Sequence, residues 1–147
     1  MYLKKRIFVG SEYEHRKVVA DVKITSNGKE IKINPSRIST IEESVGYWRK
    51  ANHIHKWFVN NCQDGIDDCR EAYVSSNDLK CLLEICKEVK EDPSKASELL
   101  PTSSGFFFGG TDYDQYYMND IDDTIKIIED ALSEDDGMSD FSYRSSW

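Results

Sequence analysis

Residues 39–61 read STIEESVGYWRKANHIHKWFVNN, and the fold turns on how this stretch is assigned. Ser39-Thr40-Ile41-Glu42 has the form of a capping box, in which a serine side chain and a glutamate three residues later satisfy the first free helical N–H groups. Ile41, Val45, Trp48, His55, Phe58, Val59 and Cys62 then recur at helical spacing. The pattern predicts one long helix over about 40–61, ended by Asn60-Asn61 and the turn Asp64-Gly65. Arg37–Ile41 also suits a strand, so the start of the helix stays open. Residues three, four and seven apart share a helical face. One polar stripe would carry Arg49, Asn52, His53 and Lys56, and its neighbour Trp48, Asn52, His55 and Val59.

Upstream, Val22–Ile33 alternates apolar and polar residues on both sides of Asn27-Gly28. Asn-Gly is the pair that a two-residue type I′ turn prefers, because both central residues need positive φ. A hairpin follows, with Ile24 opposite Ile31 and Val22 opposite Ile33. Downstream, Leu79, Leu82, Leu83, Cys86 and Val89 mark a helix over about 78–90. Asp92-Pro93 starts a short further helix, since proline at the first turn loses no hydrogen bond. The loop PTSSGFFFGG occupies 101–110. A last helix over about 112–132, capped by Thr111 and Asp114, would bury Tyr113, Tyr117, Ile121, Thr124, Ile125, Ile128 and Leu132. Residues 133–147, acidic and serine-rich, read as a disordered tail on a single domain spanning 1–132. The fold class is α+β: a hairpin or small antiparallel sheet at the N-terminus, packed on three main helices and a short fourth.

Charge is distributed unevenly. Residues 1–60 hold 12 Lys/Arg and 6 Asp/Glu, whereas 61–147 hold 7 and 21, giving −8 overall. An acidic protein does not bind nucleic acid through its bulk field. A local basic face can still hold a small anion. No apolar run approaches the roughly 20 residues that span a bilayer. Ile7-Phe8-Val9 is too short for the apolar part of a secretory signal, so the expectation is a cytosolic protein. Cys62, Cys69, Cys81 and Cys86 fit that compartment as reduced, buried thiols. His53, His55, Cys62 and Cys69 have the right chemistry for zinc but no common zinc spacing. The Asp64 segment fails the calcium-loop pattern, with Cys69 where the glycine belongs. No metal and no cofactor is implied.

Two segments carry the candidate chemistry. Arg49 and Lys56 would hold charge, Asn52 and His55 would orient a ligand, and Trp48 would stack on it, a combination that suits a phosphate or nucleotide-like group. The glycine-framed loop would add backbone N–H donors at Ser104 and Gly105. At least one of its three phenylalanines, Phe107 among them, must leave the core. The alternatives are that Arg49 and Lys56 pair with the acidic half, that His55 is a satisfied core histidine, and that Asp112, Asn119, Asp122, Asp123, Glu129 and Asp130 form a solvated face. No catalytic constellation stands out: His55 and Cys62 lie about 10 Å apart along one helix, so enzymatic activity stays uncertain.

The segments Gly46-Tyr47-Trp48-Arg49-Lys50-Ala51-Asn52 with Ile54–Val59, and Leu99-Leu100-Pro101-Thr102 with Ser104–Gly109, resemble a group of small proteins of tailed phages and prophages of Gram-positive bacteria. The resemblance covers about residues 40–132. It implies an accessory protein working in the cytosol of an infected bacterium, and no mechanism. The expected function is binding of a small anionic or nucleotide-like ligand, such as a host signal to be sequestered. The other reading is an interaction module whose acidic C-terminal half inhibits or adapts a host protein.

Overall fold

Gly46 divides the decisive stretch in two. In the computed structural model, which describes residues 1–10, 19–105, 109–135 and 137–146, Thr40–Tyr47 is a strand and a helix begins only at Asn52. This corrects the long helix expected over 40–61. The strand, β4, lies antiparallel to β1 (Tyr2–Phe8), with Ile41 opposite Ile7 and Tyr47 opposite Tyr2. Glu42 does not reach back to cap a helix. Its carboxylate meets Lys4 and, at 3.2 Å, Arg6. A partner strand supplied from far away in sequence outcompetes the local capping signal.

A bulge between Leu3 and Lys4 shifts the register, so Leu3 faces Gly46 while Lys4 faces Ser44. Gly46 is required by its surroundings. A Cβ there would sit 2.5 Å from Ile127 Cγ2 and 3.2 Å from Leu3 Cβ.

The remaining elements are β2 (Ile24–Ser26), β3 (Lys29–Ile31), α1 (Asn52–Cys62), β5 (Ala72–Val74), α2 (Ser76–Glu91), α3 (Ala96–Leu99), α4 (Gln115–Ser133) and β6 (Ser139–Arg144). The expected α+β class holds, but the main sheet is differently made. Its order is β4-β1-β6-β5, antiparallel throughout. The hairpin forms as expected, with Ile24 opposite Ile31 and positive φ at Asn27 and Gly28. It is a separate, exposed two-stranded ribbon, and Val22 and Ile33 fall outside its ladder.

The expected disordered tail is also corrected. Residues 139–144 form β6, an inner strand between β1 and β5. Phe141 and Tyr143, two apart, point to the same face and are buried. The acidic composition of 133–147 conceals this short alternation.

Helices follow their sequence signals more closely. Ser75 and Asp78 form a reciprocal capping box on α2. Asp114 Oδ1 accepts from the backbone N–H groups of Tyr116 and Tyr117 and starts α4. Tyr117, Ile121, Thr124, Ile125 and Ile128 are buried as their spacing requires, whereas Tyr113 is exposed. The core joins Leu3, Trp48, Phe58, Leu79, Leu82, Ile121, Ile128, Phe141 and Tyr143. The rings of Phe58 and Tyr143 stack with centroids 4.1 Å apart. Among the described residues, no helix is long and apolar enough to cross a membrane.

Replacing Gly46 with Ala should destabilise the protein by about 1–3 kcal/mol, because the Cβ would meet Ile127 Cγ2, a methyl one bond from Cβ on a side chain stiff at χ1. Urea unfolding of G46A, I127A and the double variant checks this. The two substitutions should couple, and strict additivity would count against the contact.

Candidate functional site

Helix α1 starts late because the chain must first turn away from β4. Lys50 takes φ +64 to make that turn, and its carbonyl accepts from the N–H of Gly109 at 3.4 Å. A Cβ on Gly109 would lie 3.2 Å from the same carbonyl. Two residues on, Asn52 is buried at 2% exposure and clamps the glycine-rich loop from both sides. Its Nδ2 donates to Gly110 O at 2.9 Å, and its Oδ1 accepts from Ser103 N at 2.8 Å. The two segments picked out in the sequence therefore meet.

The residues nominated within them divide. Arg49 and Asn52 line a cavity of about 300 Å³ at this junction. Trp48 does not face it. It is buried in the core, where its Nε1 donates to Thr124 Oγ1 at 2.9 Å. His55 is an interior histidine, with Nδ1 2.7 Å from the Tyr143 hydroxyl and Nε2 3.1 Å from Asp67 Oδ2. A carboxylate only accepts, so Nε2 carries a proton and donates to Asp67. Lys56 is half-buried and Ser104 and Gly105 are exposed, and all three stand off the cavity lining. Phe107 lies outside the described residues.

The cavity runs between residues 49–53, the glycines 109–110 and the 112–120 segment that opens α4. At its base the rings of His53 and Tyr117, both 3% exposed, lie with centroids 4.1 Å apart, tilted by 35°. Tyr117 is held by its hydroxyl, which donates to Leu100 O at 3.0 Å. His53 Nε2 is buried and has no hydrogen-bond partner. Burial lowers the imidazole pKa to about 4, so His53 is neutral at physiological pH.

Across the cavity stand Asp112, Asp114 and Asp120. Burial, helped by Asp123 and Asp114, raises the Asp120 carboxyl to about 6. Arg49 and Lys50 are exposed at the rim, and neither forms an ion pair among the described residues. Of the residues expected to form a solvated face, Asp112, Asn119, Asp123, Glu129 and Asp130 are exposed and Asp122 is half-buried. Asp122 pairs with Lys90 and Glu129 pairs with Lys87, both on α2, while Asp120 faces the cavity.

His53 and Asp120 are the residues that the sequence reading missed as partners. A signal for Asp120 exists: it follows Tyr117 by three and precedes Thr124 by four, on the inward stripe of α4. Nothing local joins it to His53. Burial pushes the thiols of Cys62 and Cys86 up to about 12, leaving them unreactive, while Cys81 is exposed. Among the described residues, no group of three or more His, Cys, Asp or Glu is placed to hold a metal ion. Comparison with family models, with curated proteins and with solved structures returns no match.

The two cavity groups have opposite effects on acid stability. His53 binds its proton less readily folded than unfolded, so its contribution to stability is lost as pH falls from 6.5 to about 4. Asp120 binds its proton more readily when folded, so its contribution grows as pH falls from about 6 towards 3.8. Asp120→Asn should therefore lose stability on acidification more steeply than the wild type, by up to about 3 kcal/mol, the free energy of the Asp120 shift from 3.8 to about 6. His53→Gln should lose it less steeply. Urea titrations at pH 7, 5.5 and 4 measure both, and parallel curves for the three proteins would contradict the assignment.

Proposed function

We propose that this protein binds a small polar ligand bearing an anionic group, in the cavity between the start of α1 and the start of α4. The observation carrying this reading is a guanidinium and an ammonium, Arg49 and Lys50, without ion-pair partners among the described residues, at the rim of a cavity whose base holds the orphaned Nε2 of His53. Buried polar atoms are ordinarily hydrogen-bonded, and an unpartnered one beside a cavity is the group a ligand would satisfy. A volume of about 300 Å³ sits at the lower end of small-molecule sites.

Arg49 supplies a two-pronged donor for a carboxylate or phosphate, Lys50 adds charge, and the exposed Tyr116 offers a ring face. The clamp of Asn52 on Ser103 and Gly110 shapes the site in advance, which lowers the entropic cost of binding.

The acidic C-terminal half favours this reading over an adaptor acting through a tail. Part of it is the inner strand β6, and Asp122 and Glu129 are engaged by α2 lysines. The resemblance to phage and prophage proteins supports an accessory role in the cytosol of an infected bacterium, where such a site would sequester a host metabolite or signal.

Thermal-shift and calorimetric titration with phosphate, sugar phosphates, mononucleotides and amino acids test the proposal. At least one anionic compound should bind, and Arg49→Ala should weaken it about tenfold or more, the value of one charge-assisted hydrogen bond. Binding unchanged by R49A, or none at all, would overturn it.

A further inference from the structure

We infer that the ligand is a zwitterion of the amino-acid class, with its anionic group at Arg49 and Lys50 and its amine at the aspartates on the α4 side. The inference rests on the cavity being a ligand site and specifies what enters it. Its ground is the arrangement of charge. Arg49 and Lys50 line the same cavity as Asp112, Asp114 and Asp120, yet no ion pair joins the two groups.

Both sides are held in place. Residues 49–52 are fixed by the Lys50–Gly109 backbone contact and the Asn52 clamp. The α4 side is fixed by the N-cap of Asp114 and by the chain Trp48 Nε1 to Thr124 Oγ1 to Asp120 O, at 2.9 and 2.6 Å. These bonds fix the backbone on both sides of the cavity. A molecule that carries both charges would complete both sides at once.

A simple anion would meet Arg49 but leave a half-buried carboxylate, Asp120, facing added negative charge. A dianionic phosphate fares worse against three aspartates. A simple amine would satisfy Asp120 and leave the guanidinium without a partner. The aromatic lining fits the same ligand: an ammonium is attracted to an aromatic face, which the exposed Tyr116 supplies, and the neutral His53 has an unpartnered Nε2. The carboxyl of Asp120, raised in the empty cavity, loses its proton when an ammonium arrives, so binding near pH 6 releases protons to the buffer.

The experiment uses the full chain and compares free α-amino acids with their N-acetyl and carboxamide forms, with inorganic phosphate and with methylamine, by isothermal titration in two buffers of different ionisation enthalpy. Free amino acids should bind, and either blocking group should weaken binding about tenfold or more. Asp120→Asn should weaken the free amino acid by a similar factor while leaving phosphate unchanged or tighter, and Arg49→Ala should weaken both. D112N provides a second probe of the same wall at an exposed position. N-acetyl forms binding as tightly as free ones, or D120N without effect on an amino acid that R49A weakens, overturns the zwitterion while sparing the anion site. If no probe binds at all, both readings fall.

Discussion

Strand β1 needs two partners, and satisfying both of its edges determines most of the molecule. One partner is the stretch 40–47 and the other is 139–144, so the centre of the sheet joins segments separated by nearly the whole chain. Unpaired backbone groups inside a sheet cost as much as lost hydrogen bonds, which drives both pairings. Once β4 is committed to β1, it must stop at Tyr47, and the chain turns through the left-handed Lys50 before α1 begins. That turn leaves Arg49 and Lys50 on the rim of the cavity and brings Asn52 within reach of both ends of the loop.

The polar residues of this region form two groups with different physical standing. Trp48, Asn52 and His55 each have a named partner at 2.7–2.9 Å, and they hold elements together. Trp48 ties the end of β4 to α4, and His55 ties α1 to β6. His53 differs, because its Nε2 is buried with nothing opposite it. Two histidines two residues apart lie on opposite sides of the helix and face unlike surroundings. Satisfaction of hydrogen bonds, not residue type, separates a structural histidine from a candidate ligand contact.

The cavity is electrostatically divided by its construction. Its cations come from the chain leaving β4, and its carboxylates come from the opening turns of α4, one of which also caps that helix. Aspartate at a helix start is favoured by the free N–H groups there, so part of the acidic side would exist without any ligand. Asp120 has no such explanation: it sits a turn further on, half-buried and close to other carboxylates.

By itself the sequence determined what depends on neighbours within about four residues. Asn27-Gly28 specified its turn, Asp92-Pro93 its short helix, and the spacing of Leu79–Val89 and Tyr117–Ile128 the buried faces of α2 and α4. The α+β class was legible for the same reason. Tertiary structure decided the rest. Thr40–Tyr47 became a strand, and Ser139–Arg144 became the inner strand of the sheet instead of a tail. Only Arg49 and Asn52 of the residues first proposed as a site came to line the cavity, and His53 and Asp120 joined them. Their shared physical reason is distance along the chain. A strand acquires its hydrogen bonds, and a cavity its facing side chains, from segments tens to more than a hundred residues away, and no local pattern encodes which distant segment will arrive.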